Sequence, residues 1–131
     1  MVQTTDWFSR PLLLVRDVEA SLAFYVETLG FTEAWRFEDG GELLVAEVGR
    51  LGASAILTSQ WPDRVGKGVL FISINAEPET PEAVSAALDA LKAEFEAKGA
   101  SVREGRWGYR LLVVEDLDGN ELLFPYPNEP G

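Results

Sequence analysis

The succession of apolar and polar positions divides this chain into two runs of the same kind. Leu12, Leu13, Leu14 and Val15 make a short apolar strand, and Asp17 stands at its end with a side-chain oxygen free to cap the next backbone N–H groups. Beyond it Val18, Leu22, Tyr25, Val26 and Leu29 recur at helical spacing, which predicts a helix that turns this stripe to a sheet and Glu19 and Glu27 away from it. Gly30 supplies a left-handed stop. Three strands are expected next, over Thr32 to Glu38, Glu42 to Val48 and Ala53 to Thr58, joined by turns at Asp39-Gly40-Gly41 and at Gly49 to Gly52. In the first of them alternation places Glu33, Trp35 and Phe37 on one face and Thr32, Ala34, Arg36 and Glu38 on the other.

Residues 59 to 68, SQWPDRVGKG, have the composition of a connecting loop, and the pattern then begins again. Val69 to Ile74 reads as a strand, Thr80 and Pro81 as helix cap and first helical residue, and Val84, Leu88, Leu91 and Phe95 as the buried stripe of a helix ended by Gly99. Three strands are expected again, at about Ser101 to Glu104, Tyr109 to Glu115 and Asn120 to Tyr126, with a turn at Asp118-Gly119 and with Pro125, Pro127 and Pro130 ending regular structure. The chain is thus an α+β protein of two βαβββ modules, about 10–58 and 69–126, in a single domain spanning 1–131. Two curved mixed sheets, each backed by its helix on the outside, are expected to enclose a concave cleft. The sequence leaves open whether the modules pair within one chain or exchange between two.

Length agrees: 131 residues suffice for one full hydrophobic core. No apolar run approaches the roughly 18 residues that cross a bilayer, and the opening MVQTTDWFSR lacks a basic region followed by an apolar one, so a cytoplasmic protein without membrane attachment is expected. Trp7 and Phe8 in that lead need an apolar partner, for which a neighbouring subunit is one candidate. Cysteine and histidine are both absent, which removes thiolate chemistry, the commonest metal ligand and the usual proton carrier near neutral pH. A formal charge of −11 disfavours nucleic acid and draws cationic ligands, although acidity also simply keeps a protein dispersed.

The run VRDVEASLAFYVETLGF (15–31), together with EDLDGNELLF (115–124), resembles the glyoxalase / bleomycin resistance / extradiol dioxygenase (vicinal oxygen chelate) superfamily across nearly the whole chain. Metal-dependent members of that superfamily present His, Gln or Glu from four strands to a divalent ion, and the resemblance carries those places to Arg10, Ile56, Val69 and Leu123. An arginine repels a cation and three aliphatic groups offer it no lone pair. Glu121, the one charged residue near these places, is assigned to the face opposite Leu123. No metal and no cofactor are therefore expected, and the resemblance points to the metal-free branch of bleomycin resistance proteins, acidic dimers that sequester a drug in a cleft.

The candidate ligand-binding residues are Arg10, Trp35, Phe37, Glu47, Trp61, Trp107 and Tyr109. The aromatic rings offer flat apolar walls, Glu47 and Glu115 a counter-charge for a cation, and Arg10 a carboxylate-binding group or a strand-end side chain in solvent. Trp35 and Phe37 are equally compatible with core packing, and Phe124 is expected under the second helix. Tyr109 and Arg110 alternate, and Tyr109 is assigned to the cleft. Glu47, Glu115, Asp116 and Asp118 sit where solvated turns and strand ends are expected, so no catalytic residue is assigned. The expected function is sequestration of an antibiotic or other amphipathic small molecule by a homodimer. The alternatives are a metal-dependent lyase or dioxygenase of the same superfamily, and an interaction module whose cleft is filled by its own side chains.

Overall fold

A computed structural model describes residues 2–127, so that Pro130 lies outside the described residues. Its first module comprises β1 (Leu12–Leu14), α1 (Val18–Ala23, continued as a π-helical turn over Phe24–Thr28), β2 (Thr32–Asp39), β3 (Glu42–Arg50) and β4 (Ala53–Thr58). The second comprises β5 (Val69–Phe71), α2 (Pro81–Ala97), β6 (Ser101–Arg106), β7 (Arg110–Glu115) and β8 (Glu121–Pro125). Each module forms its own mixed sheet, ordered β1-β4-β3-β2 and β5-β8-β7-β6, with the first strand parallel to the last and the remaining pairs antiparallel.

The capping residues act as their chemistry directs. Asp17 Oδ1 accepts from the Ala20 amide at 3.2 Å, and Thr80 Oγ1 from that of Ala83 at 3.1 Å. Gly40 and Gly41, with φ of 60° and 80°, make the tight turn between the paired residues Asp39 and Glu42. One face of each sheet is covered by helix. Leu13, Val15, Ala46, Val48, Ala55 and Leu57 are buried with Val18, Leu22, Tyr25 and Leu29 of the first helical segment, and Ile72, Leu112, Val114, Leu122 and Phe124 with Leu88 and Phe95 of α2. Val26, expected in the buried stripe, is 37% exposed. It lies in the π-helical turn, where the 3.6-residue spacing that predicted the stripe no longer holds.

Alternation also fails in β2. Glu33 pairs with Val48 but Trp35 with Glu47, so Ala34 bulges and the parity of the strand shifts by one. Glu33 therefore leaves the face of Trp35 and Phe37 and pairs with Arg36 instead. The strand expected over Val69 to Ile74 is shorter, since pairing with β8 ends once the Ile72 amide has reached Leu123 O at 2.8 Å.

The turn between β7 and β8 clips the modules together. Asp116 is buried, where a solvated turn was expected, because four donors surround its carboxylate. Its Oδ2 accepts from Tyr25 Oη at 2.9 Å and Asn120 Nδ2 at 3.0 Å, and its Oδ1 from the amides of Asp118 and Asn120, both at 2.9 Å. Asn120 extends the clip, donating to Leu14 O at 3.0 Å and accepting from the Gly68 amide at 2.8 Å. Burial, with Asp116 alongside, holds the Tyr25 phenol well above its ordinary pKa. The linker glycines let this seam close: a Cβ on Gly66 would stand 2.2 Å from Asp118 O.

Candidate functional site

With the helices on one side, the other face of each sheet is left uncovered by helix. Cross-strand register places Leu12, Ile56, Glu47 and Trp35 in one row of the first sheet and Leu14, Thr58, Val45 and Phe37 in the next. In the second sheet Phe71, Leu123, Val113 and Arg103 share a row, and Val69, Glu121, Glu115 and Ser101 another. Leu12, Trp35, Phe37, Val69 and Phe71 are exposed on these faces. Three of these large apolar side chains belong to the first sheet and two, Val69 and Phe71, to the second.

Glu47 is the centre of the first sheet's face. Though a carboxylate, it is only 8% exposed, and both of its oxygens are engaged: Arg10 Nε donates to Oε2 and Trp35 Nε1 to Oε1, each at 2.8 Å. The bulge at Ala34 makes this possible by bringing Trp35 opposite Glu47. Arg10 is held just ahead of β1, where Pro11 O accepts from the Ile56 amide at 2.9 Å. Its guanidinium stacks 4.8 Å from the Phe8 ring centre. The positive group that Glu47 meets is thus its own chain's Arg10, and the anion that Arg10 needs is Glu47. Phe37 lies beside them on the same face.

The second sheet gathers the other aromatics. Trp107, in the turn between β6 and β7, stands edge-on to Phe71 at 5.7 Å between centres and 6.4 Å from Tyr109. A hollow of about 470 Å3 opens here, lined in part by Phe71, Tyr109 and Tyr126. Tyr126 donates to Asp89 at 2.8 Å, and burial together with this bond pushes its phenol up to about 12. Arg110 turns away from Tyr109, pairs with Glu104 and lies 4.0 Å over the Tyr126 ring. Trp61 stands apart from both clusters, half exposed at the start of a single 3-10 turn, Pro62–Arg64.

The four family metal positions fall on the uncovered faces, yet their chemistry does not fit an ion. Ile56, Val69 and Leu123 carry no donor, and Arg10 is bound to Glu47. Glu121 is placed on the same face as Leu123, not the opposite one, because residues two apart share a face. It does not complete a donor set: Arg103 pairs with it and lies 3.7 Å from Glu115. Among the described residues no group of three or more His, Cys, Asp or Glu is gathered as a metal would need.

Phe71 is the site residue that the sequence reading passed over. Its signal was present as parity, since it alternates with Val69 and Leu70 intervenes. Among the described residues no helix is long and apolar enough to cross a membrane.

Solved structures share this architecture. TnmS3, an antibiotic binding protein from Streptomyces sp. CB03234, superposes with a TM-score of 0.69 at 22% identity, over 95% of this chain and 100% of that one. The bleomycin-binding protein of bleomycin-producing Streptomyces verticillus, solved with copper(II)-bleomycin, gives 0.69 at 22% over 96% and 100%. Lactoylglutathione lyase from Agrobacterium tumefaciens gives 0.65 at 18% over 94% and 95%. No protein of curated function matches the chain in sequence. The family model described as Glyoxalase/Bleomycin resistance protein/Dioxygenase superfamily matches residues 6–124, and the chain belongs to that superfamily.

Proposed function

We propose that this protein binds a small amphipathic molecule on its helix-free faces and does so without a metal. The observation that carries the reading is the Arg10–Glu47–Trp35 group, a satisfied polar anchor on the same face as exposed Phe37 and Leu12. Such a surface has apolar area to bury and a guanidinium whose remaining N–H groups can orient a ligand. An antibiotic is the proposed ligand class, in keeping with what two proteins of the same fold bind.

A homodimer is part of the proposal. Trp7 and Phe8, 86% and 75% exposed, would gain a partner surface in a second copy. Sedimentation should then report twice the 14.4 kDa of one chain.

Tryptophan fluorescence tests the binding. Titration with bleomycin and a panel of amphipathic antibiotics should give saturable quenching, weakened about tenfold or more in Glu47→Ala, which frees Arg10 and Trp35 together. Absence of quenching across the panel refutes the reading. Lyase or dioxygenase turnover restored by Ni, Zn, Mn or Fe after metal stripping would replace it with the catalytic alternative.

A further inference from the structure

A second cavity, of about 490 Å3, lies in the seam between the modules and away from the helix-free faces. Phe31, Ile72, Leu91, Phe95 and Phe124 form its apolar walls, and the turn from Arg50 to Ala53 closes one side. The space exists because small residues stand where large ones would fill it. Ala87, Leu91 and Phe95 follow one another at i, i+4 and i+8 on α2, and the row begins with a methyl group; across from it are Gly52 and Ala53. The volume is that of a small-molecule site, roughly 300–1,000 Å3.

Among the described residues, the one ionisable residue of its lining is cationic, and that cation is paired with Glu94 just outside the lining. The chain carries 22 acidic and 11 basic side chains, yet Arg50 is the ionisable residue in this lining and no carboxylate accompanies it there. Nη1 of Arg50 donates to Leu29 O at 2.7 Å and to Glu94 Oε2 at 2.8 Å, which fixes the guanidinium. Its Nε and Nη2 have no hydrogen-bond partner among the described residues. A guanidinium cannot give up its charge and has no lone pair to offer, so a group that meets its free N–H groups must be an acceptor.

We infer that this cavity is a second binding site, for a hydrophobic monocarboxylate whose apolar body lies between α2 and the β3–β4 turn and whose carboxylate meets Arg50. The inference does not depend on the ligand of the helix-free faces.

The three isoleucines supply the test, because Ile72 lines this cavity while Ile56 lies on the helix-free face and Ile74 borders both hollows. In protein with 13C-labelled isoleucine methyls, decanoate should shift the Ile72 signal saturably and leave Ile56 in place. Arg50→Gln should weaken decanoate about tenfold, and 1-decanol should bind wild type and variant alike. Movement of Ile56 without Ile72, no movement at all up to millimolar decanoate, or equal decanoate affinity in Arg50→Gln would each overturn the assignment. Failure of the helix-free face reading shows elsewhere, as antibiotics that disturb neither Ile56 nor tryptophan emission.

Discussion

Replacing Asp116 by alanine should break the clip between modules more than any surface change. The substitution strands the Tyr25 hydroxyl, one N–H of the Asn120 side-chain amide and the Asn120 backbone N–H, all buried, as well as the part-buried Asp118 N–H. A buried donor left without acceptor costs about 1–3 kcal/mol, and water admitted by the deletion recovers part of it. Relief from burying a carboxylate offsets a little more. The expected loss is about 3–5 kcal/mol, a large share of the roughly 5–15 kcal/mol that holds a domain together. Urea unfolding followed by circular dichroism measures it: with a slope of about 1–3 kcal/mol per molar, the midpoint should fall by about 1 M or more. Asp116→Asn retains an acceptor oxygen and should lose less. Tyr25→Phe removes one bond and should cost about 1–2 kcal/mol, and the double variant should show coupling because the two groups share that bond. A loss below about 1 kcal/mol in Asp116→Ala would mean that the carboxylate does not join the modules.

Two further outcomes follow from the same seam and its neighbours. Gly66→Ala should destabilise by about 2 kcal/mol or more, because φ of 77° and Asp118 O both oppose a Cβ, whereas Gly40→Ala, at φ of 60° with nothing within 4 Å, should cost about 1 kcal/mol; equal melting temperatures would refute the close approach. Tyr25 and Tyr126 both hold their protons more tightly in the fold than in the unfolded chain, so their contribution is intact below about pH 10 and is lost as pH rises through the folded values, which for Tyr126 is about 12. The urea midpoint should fall over that window, and phenolate absorbance should show Tyr25 and Tyr126 ionising above pH 10; ionisation of both near pH 10 with the fold intact would contradict it.

The order of elements was legible because it rests on local chemistry. Asp17 and Thr80 cap, Gly30 and Gly99 stop, and stripes at helical spacing face a sheet whatever else the chain does. The superfamily was legible for the same reason, since its signature runs through one strand–helix unit and one hairpin. The candidate residues were legible as types only. Arg10, Glu47 and Trp35 are separated by 37 and 12 positions, and nothing local says that they meet.

Tertiary structure decided what those residues do. The bulge at Ala34 reset the parity of β2 and brought Trp35 opposite Glu47 while sending Glu33 away. Asp116, a turn residue by composition, became a buried acceptor because Tyr25 arrived from the other module. The seam cavity likewise follows from small residues on separate elements meeting across a packing interface. Periodicity and capping act within a few residues of chain, so the sequence alone determined the elements and their order. Pairing register and burial depend on groups tens of positions apart, and only the folded chain settled which side chains stand together.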